Sequence, residues 1–117
     1  MAIHRSSSKT TQTIANAAAL SDAFAMSTEA GGIILMPAAW TAASIGFQVS
    51  DAIDGTYYPL YDDAGTLVQI SSPAASKAYA IPAEVFGASW VKLWSQDGAA
   101  SNTNQGAART IVVMLKS

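Results

Sequence analysis

The hydrophobic residues of this chain fall in short runs that are separated, about every ten residues, by Gly, Pro, Asp and Ser. The clearest run is 44–50, in which Ile45, Phe47 and Val49 alternate with polar or small residues. This two-residue period predicts a half-buried β-strand. Similar patterns predict strands at 10–15, 22–26, 33–36, 56–61, 66–70, 77–81, 89–95 and 109–115.

Two of the predicted strands are almost entirely apolar. Residues 33–36 read Ile-Ile-Leu-Met, and residues 111–115 read Ile-Val-Val-Met-Leu. A continuous apolar run is typical of a strand inside a sheet. We therefore expect 33–36 to be a central strand covered on both faces, and 109–115 to be central as well. Pro59 cannot donate a ladder hydrogen bond, so 56–61 is expected at an edge or with a bulge.

Little helix is expected. Residues 16–20 are rich in Ala and predict one helical turn, and residues 82–86 predict another, with Pro82 near its start. The evenly spaced strands predict an all-β fold, an antiparallel β-sandwich resembling a jelly roll. Residues 1–8 show no apolar period and predict a flexible N-terminal arm, which leaves 9–117 as a single β-sandwich domain. Trp40, between two strands, is expected to fill the core.

Composition excludes several functional classes. The chain has no Cys, so it has neither disulfides nor Cys-ligated zinc. Six basic and eight acidic residues give a net charge of −2, which does not favour nucleic-acid binding. No apolar segment reaches the roughly 18 residues of a membrane span, and the start of the chain does not resemble a signal peptide. We therefore expect synthesis and folding in the cytoplasm.

Catalytic chemistry is also poorly represented. The single His, His4, lies in the predicted arm, where nothing holds it as a general base. No Ser lies in a Gly-x-Ser-x-Gly elbow, and no Gly-rich phosphate loop is present. The sequence therefore predicts a protein that is not an enzyme, with no catalytic residue and no cofactor.

Four aspartates on two predicted turns, Asp51 and Asp54 on one and Asp62 and Asp63 on the other, are candidate Ca²⁺ ligands. Asp is also a common turn residue, and the two turns lie at opposite ends of one strand. A structural role in the turns is therefore the favoured interpretation, with no metal.

A stripe of aromatic and basic residues is the strongest candidate for binding. Trp90, Lys92 and Trp94 share one face of the strand at 89–95, and Val91 and Leu93 share the core face. The stripe could serve as a protein interface or stack on a sugar. Alternatively, the Trp face could be the core face, with the opposite face of the strand covered by a neighbouring loop. A tyrosine-rich strand at 56–61 could add to a sugar platform, although tyrosines are common in strands.

Three segments, 13–23, 36–50 and 57–66, carry a resemblance to a known group. They contain Thr-Ile-Ala-Asn-Ala-Ala-Ala-Leu-Ser-Asp-Ala, then Met-Pro-Ala-Ala-Trp-Thr-Ala-Ala followed by Phe-Gln-Val-Ser, and Tyr-Tyr-Pro-Leu-Tyr-Asp-Asp-Ala-Gly-Thr. Together they resemble short proteins encoded among the head and tail structural genes of tailed bacteriophages. The resemblance covers most of 9–115 and transfers no active-site residue.

The resemblance implies a virion component, similar to head decoration (cement) proteins or the bases of head spikes. Its partners would be the major capsid protein or other virion proteins, with assembly as a homo-oligomer. The arm, with His4, Arg5 and Lys9, would then attach to a neighbouring subunit, and Trp90, Lys92 and Trp94 are further interface candidates. A tail or head–tail connector subunit and a host-glycan-binding module are the alternatives.

Overall fold

Nine β-strands and one short 3₁₀ helix make up the computed structural model, which describes residues 7–117. The 3₁₀ helix spans Ala83–Gly87. The strands are β1 (Ser7–Ile14), β2 (Leu20–Ala25), β3 (Gly31–Leu35), β4 (Ser44–Ser50), β5 (Tyr58–Pro59), β6 (Gln69–Ile70), β7 (Ala78–Ala80), β8 (Trp90–Gln96) and β9 (Arg109–Lys116).

The strand pairs nest from the two ends of the described chain towards its middle. β1 pairs with β9, β2 with β8, β3 with β7 and β4 with β5, all antiparallel. One half of the sheet is therefore β1-β9-β3-β7, and the other is β2-β8-β4 with β5 and β6 beside β4. Nested antiparallel pairs are the topology of a jelly roll, so the predicted all-β, jelly-roll-like fold is confirmed.

The core lies between the two halves. In the longer strands such as β3, β8 and β9, alternate side chains point inward, and these side chains meet those of the opposite half. The buried cluster includes Ile14, Phe24, Ile34, Ile45, Phe47, Val91, Leu93, Ile111, Val113 and Leu115. Trp40 packs against this cluster and donates its indole N–H to the Ala43 carbonyl at 3.1 Å, which confirms its predicted place in the core.

The strand predictions hold best where the two-residue period is strict. β4 has the predicted bounds, Ser44–Ser50, and Pro59 lies on the edge strand β5 as expected. β5 and β6 are only 2 residues each, much shorter than the predicted strands at 56–61 and 66–70. The predicted helical turn at 16–20 is wrong. Ala17 there has a φ of 61°, and its N–H donates to the Gln105 carbonyl rather than within a helix.

The buried side chain of Gln105 fastens the long loop between β8 and β9 to the sandwich. Its Oε1 accepts from the Thr41 N–H at 2.9 Å, and its Nε2 donates to the Thr41 carbonyl at 3.1 Å and to Ser95 Oγ at 2.9 Å. Its backbone pairs with the 17–18 turn. Arg109 adds a bond from Nε to Gln105 Oε1 at 3.3 Å. A single polar side chain thus joins three separate segments.

Candidate interaction surface

Six apolar residues of strands β3, β7 and β9 lie together on the outer face of the β1-β9-β3-β7 half. The pairing register places Ile33 beside Met114 and Ala80, and Leu35 beside Val112 and Ala78. All six side chains lie on the face opposite the core, because their chain neighbours Ile34, Tyr79, Ile111 and Val113 point inward. We call these six residues, Ile33, Leu35, Ala78, Ala80, Val112 and Met114, the apolar face.

Burial shows how open the apolar face is. Ile33 is 41% exposed and Met114 is 38% exposed, although both lie on strands flanked by partners on each side. Strand β3 is therefore central, as predicted, but the prediction that it is covered on both faces is wrong. The side chain of Ile34 is buried in the core, whereas that of Ile33 lies on the outer face and stays partly exposed.

Two lysines border the apolar face at one end. The register places Lys9 beside Met114, and Lys116 beside Gly31. Next to them, Ile33, Met114 and the small residues Gly31 and Gly32 line a concavity of about 670 Å³. Apolar side chains flanked by basic groups are suited to a protein partner that presents an apolar patch with acidic neighbours.

The structure separates the members of the predicted Trp-Lys-Trp stripe. Val91 and Leu93 lie in the core, as expected. On the other face Trp94 is only 2% exposed, and its indole N–H donates to Asn102 Oδ1 at 2.6 Å. Its ring is therefore packed within the molecule, under the loop that follows β8. Trp90 and Lys92 remain partly exposed, so the predicted interface role can apply only to them.

Gly46 provides the space for the Trp94 ring. The register places Gly46 opposite Trp94, and a Cβ added at Gly46 would lie 2.8 Å from Trp94 Cε3. The Trp94 ring is also held by its hydrogen bond to Asn102, so it cannot move away from Gly46 without disturbing that contact.

Replacing Gly46 with alanine is expected to lower the free energy of unfolding by about 2 kcal/mol, because the added methyl group overpacks this site. Gly31→Ala is the matched control, since a Cβ there would have nothing within 4 Å. The control is expected to stay within about 0.5 kcal/mol of the wild-type protein. Urea titration of both variants measures the difference, and equal midpoints would contradict the proposed contact.

Lys92 and Tyr57 form a small cation–π pair on the outer side of β8. Lys92 Nζ lies 4.5 Å from the centre of the Tyr57 ring, and the Tyr57 hydroxyl donates to the Ile53 carbonyl at 2.8 Å. Desolvation raises the pKa of the Tyr57 phenol, and the nearby Asp54 carboxylate adds to this rise. One face of the ring is thus already occupied by the protein's own lysine.

The four aspartates considered as Ca²⁺ ligands do not form a cluster. Asp62 Oδ1 accepts from the N–H groups of Ala64 at 2.9 Å and Thr66 at 2.8 Å, which closes a turn. Within residues 7–117, no group of three or more His, Cys, Asp or Glu side chains is placed to hold a metal ion. Asp51, Asp54 and Asp63 are exposed on their loops.

The predicted arm falls partly outside the described residues. His4 and Arg5 lie there, so the structure does not place these two interface candidates. Lys9 belongs to β1, which begins at Ser7, and is exposed at the border of the apolar face. In the part of the chain that the structure describes, no helix is both long and apolar enough to cross a bilayer.

The fold defines the chain as an all-β, jelly-roll-like protein, and comparison with known proteins adds one relation. No protein-family model matches the chain, and no curated protein matches it in sequence. The crystal structure of the SPBc2 prophage-derived protein YomS is similar, with a TM-score of 0.58. The two sequences are 16% identical over 100% of this chain and 99% of that chain. At this identity the likeness shows a shared fold, over the whole length of both chains.

Proposed function

We propose that this chain is a non-enzymatic structural protein of a phage particle, and that it binds the major capsid lattice as a decoration, cement or head-spike protein. The observation that carries this proposal is the apolar face, because an exposed apolar patch marks a site where another protein binds. The shared fold with a prophage-derived protein supports the phage origin. Location in the virion follows from this proposal.

The sequence of the apolar face supports a permanent rather than an incidental contact. Strand β3 has the continuous apolar run of a strand that is buried on both sides, yet Ile33 is 41% exposed in the isolated chain. A partner that covers this face would bury Ile33 and Met114 at the centre of the interface, where binding energy is concentrated. Lys9 and Lys116 at its border would meet acidic groups of the partner.

The test is co-sedimentation of the purified protein with capsids that lack it. The wild-type protein is expected to bind saturably. The double variant Ile33→Glu with Met114→Glu is expected to bind roughly a hundredfold more weakly, since two charges would be buried against apolar groups. The two new carboxylates would lie on directly paired residues, so the thermal midpoint is expected to fall, and binding is compared at a temperature at which circular dichroism shows the variant to be folded.

Ile53→Glu is the matched control. Ile53 is 55% exposed, lies in the loop after β4 and is remote from the apolar face in the sheet order. This variant should bind capsids as the wild-type protein does. Failure of the wild-type protein to bind capsids would refute the capsid role, and binding to purified tails instead would favour the tail or connector alternative. Equal capsid binding by the wild type and the double variant would show that the apolar face is not the surface that binds the capsid.

A further inference from the structure

Strand β1 has one fully paired edge and one open edge. It pairs with β9 at every position from Ser7 to Ile14, but its register with β2 consists of the single pair Ile14 and Ser21. Beyond that pair β1 and β2 diverge, and a cleft of about 410 Å³ opens between them. It is lined by residues 8–12 of β1, residues 22–25 of β2, Glu29 and Leu115.

The open edge of β1 presents to this cleft backbone groups that face no paired strand among the described residues. The Thr13 N–H donates to Asp22 Oδ1 at 3.2 Å, so it points away from β9 and towards β2. Because a strand repeats every two residues, the N–H groups of Lys9 and Thr11 face the same side. Between Ser7 and Thr13, no described strand pairs with this edge. Such an edge is a template for one more strand.

A buried side chain in the same cleft also lacks a partner. Gln12 lines the cleft and is 2% exposed, and its Nε2 donates to Thr10 Oγ1 at 2.9 Å. Its Oε1 is buried and accepts no hydrogen bond from any described residue. A buried acceptor without a donor is costly, so its presence next to an open strand edge points to a ligand that supplies the donor.

We propose that the cleft between β1 and β2 receives the first six residues of a second copy of this chain as an added β-strand. The length of the open edge suits such a strand, because residues 8–12 span about 17 Å, which about five extended residues match. The chemistry agrees as well, because Met-Ala-Ile-His-Arg-Ser carries basic residues, and acidic residues outnumber basic ones in the lining of the cleft, with Asp22 and Glu29 against Lys9. This inference does not depend on the proposed phage role.

The chain's own first residues fit the cleft less well. They lead directly into the start of β1, so they would have to reverse direction to run along the same edge. A tight hairpin turn takes at least two residues out of the pairing. The corresponding segment of a second copy needs no such turn.

The absence of Cys allows a direct cross-linking test in the full chain. One variant carries Ile3→Cys, and a second variant, enlarged by a tag, carries Thr11→Cys on the exposed side of β1. The two are mixed and treated with a short bismaleimide. A mixed dimer that contains one tagged and one untagged chain is expected. The control pairs Ile3→Cys with tagged Ile53→Cys, in a loop away from the cleft, and should give no mixed dimer.

Two results would overturn the proposal. No mixed dimer above the control would exclude insertion between copies. In one chain carrying both Ile3→Cys and Thr11→Cys, cross-linking within the monomer without dimers would show that the segment folds back on its own strand. Gln12→Met, which keeps the side-chain length and removes the oxygen, is expected to weaken the association about tenfold. If the Gln12→Met copies associate as strongly as wild-type copies, Gln12 does not contact the inserted segment.

Discussion

Replacing Trp94 with alanine is expected to lower the free energy of unfolding by about 4 kcal/mol, the typical cost of truncating a fully buried aromatic side chain. Trp94 is 2% exposed, lies against Gly46 and donates its indole N–H to Asn102. Its removal leaves a cavity on the outer side of β8 and an unpaired Asn102. Equilibrium unfolding in urea, followed by far-UV circular dichroism, measures the loss.

Trp90→Ala is the control for this measurement. Trp90 lies on the same strand and the same face as Trp94, but it is partly exposed, and its side chain makes no hydrogen bond with another described residue. Its truncation is expected to cost about 1 kcal/mol. Equal losses for the two variants would contradict the assignment of Trp94 to the interior. A larger loss for Trp94→Ala would also mean that this variant is too unstable to test sugar binding, so such a test should use Trp90→Ala.

Replacing Gln105 with leucine is expected to cost about 3 kcal/mol. Leucine fills a similar volume but leaves the Thr41 N–H and C=O groups without their partner, and it removes the hydrogen bond that Ser95 Oγ accepts. Ser95 Oγ keeps its bond to the Thr103 carbonyl. Buried polar groups that lose a partner each cost on the order of 1 kcal/mol or more. Urea unfolding gives the total loss, and native-state hydrogen exchange at the Thr41 and Ala17 amides gives its location.

Asn104→Ala is the matched control for Gln105→Leu. Asn104 is the preceding residue of the same loop and is exposed, so its substitution should change stability by less than about 0.5 kcal/mol. Unchanged exchange at Thr41 in the Gln105 variant would show that the loop is held by other contacts.

The sequence predicts strands with a regular two-residue period well, but it does not predict hydrogen bonds between residues that are far apart in the chain. The bounds of β4 were predictable to the residue, because the alternation of Ile45, Phe47 and Val49 with polar or small residues shows which face of the strand is apolar. Gln105 was not predictable, because a glutamine in a loop rich in Gly, Ala and Ser looks like any solvated residue. Its role depends on Thr41, which is 64 positions away in the chain. The turn at 16–20 failed for the same reason, since a distant carbonyl determines the direction of the Ala17 N–H.

The apolar face illustrates a different limit. The run at 33–36 predicts burial on both sides of the strand, but it contains no information about which molecule provides the cover. Only the fold shows that Ile34 is covered within the chain and that Ile33 is not. The candidate site thus lies where a correct sequence signal and the isolated structure disagree. Trp94, by contrast, was a reasonable surface candidate until the loop after β8 was located.

The nested strand pairs have a consequence for the kinetics of folding. The outermost pair joins Ser7 to Lys116, so β1 cannot complete its pairing with β9 until the residues through Lys116 have left the ribosome. Inner pairs such as β4 with β5 join residues about ten positions apart and can form much earlier. During synthesis β1 therefore has both edges unpaired for longer than the inner strands. On a polysome, where nascent copies are close neighbours, that delay is a period in which copies can meet before either has closed.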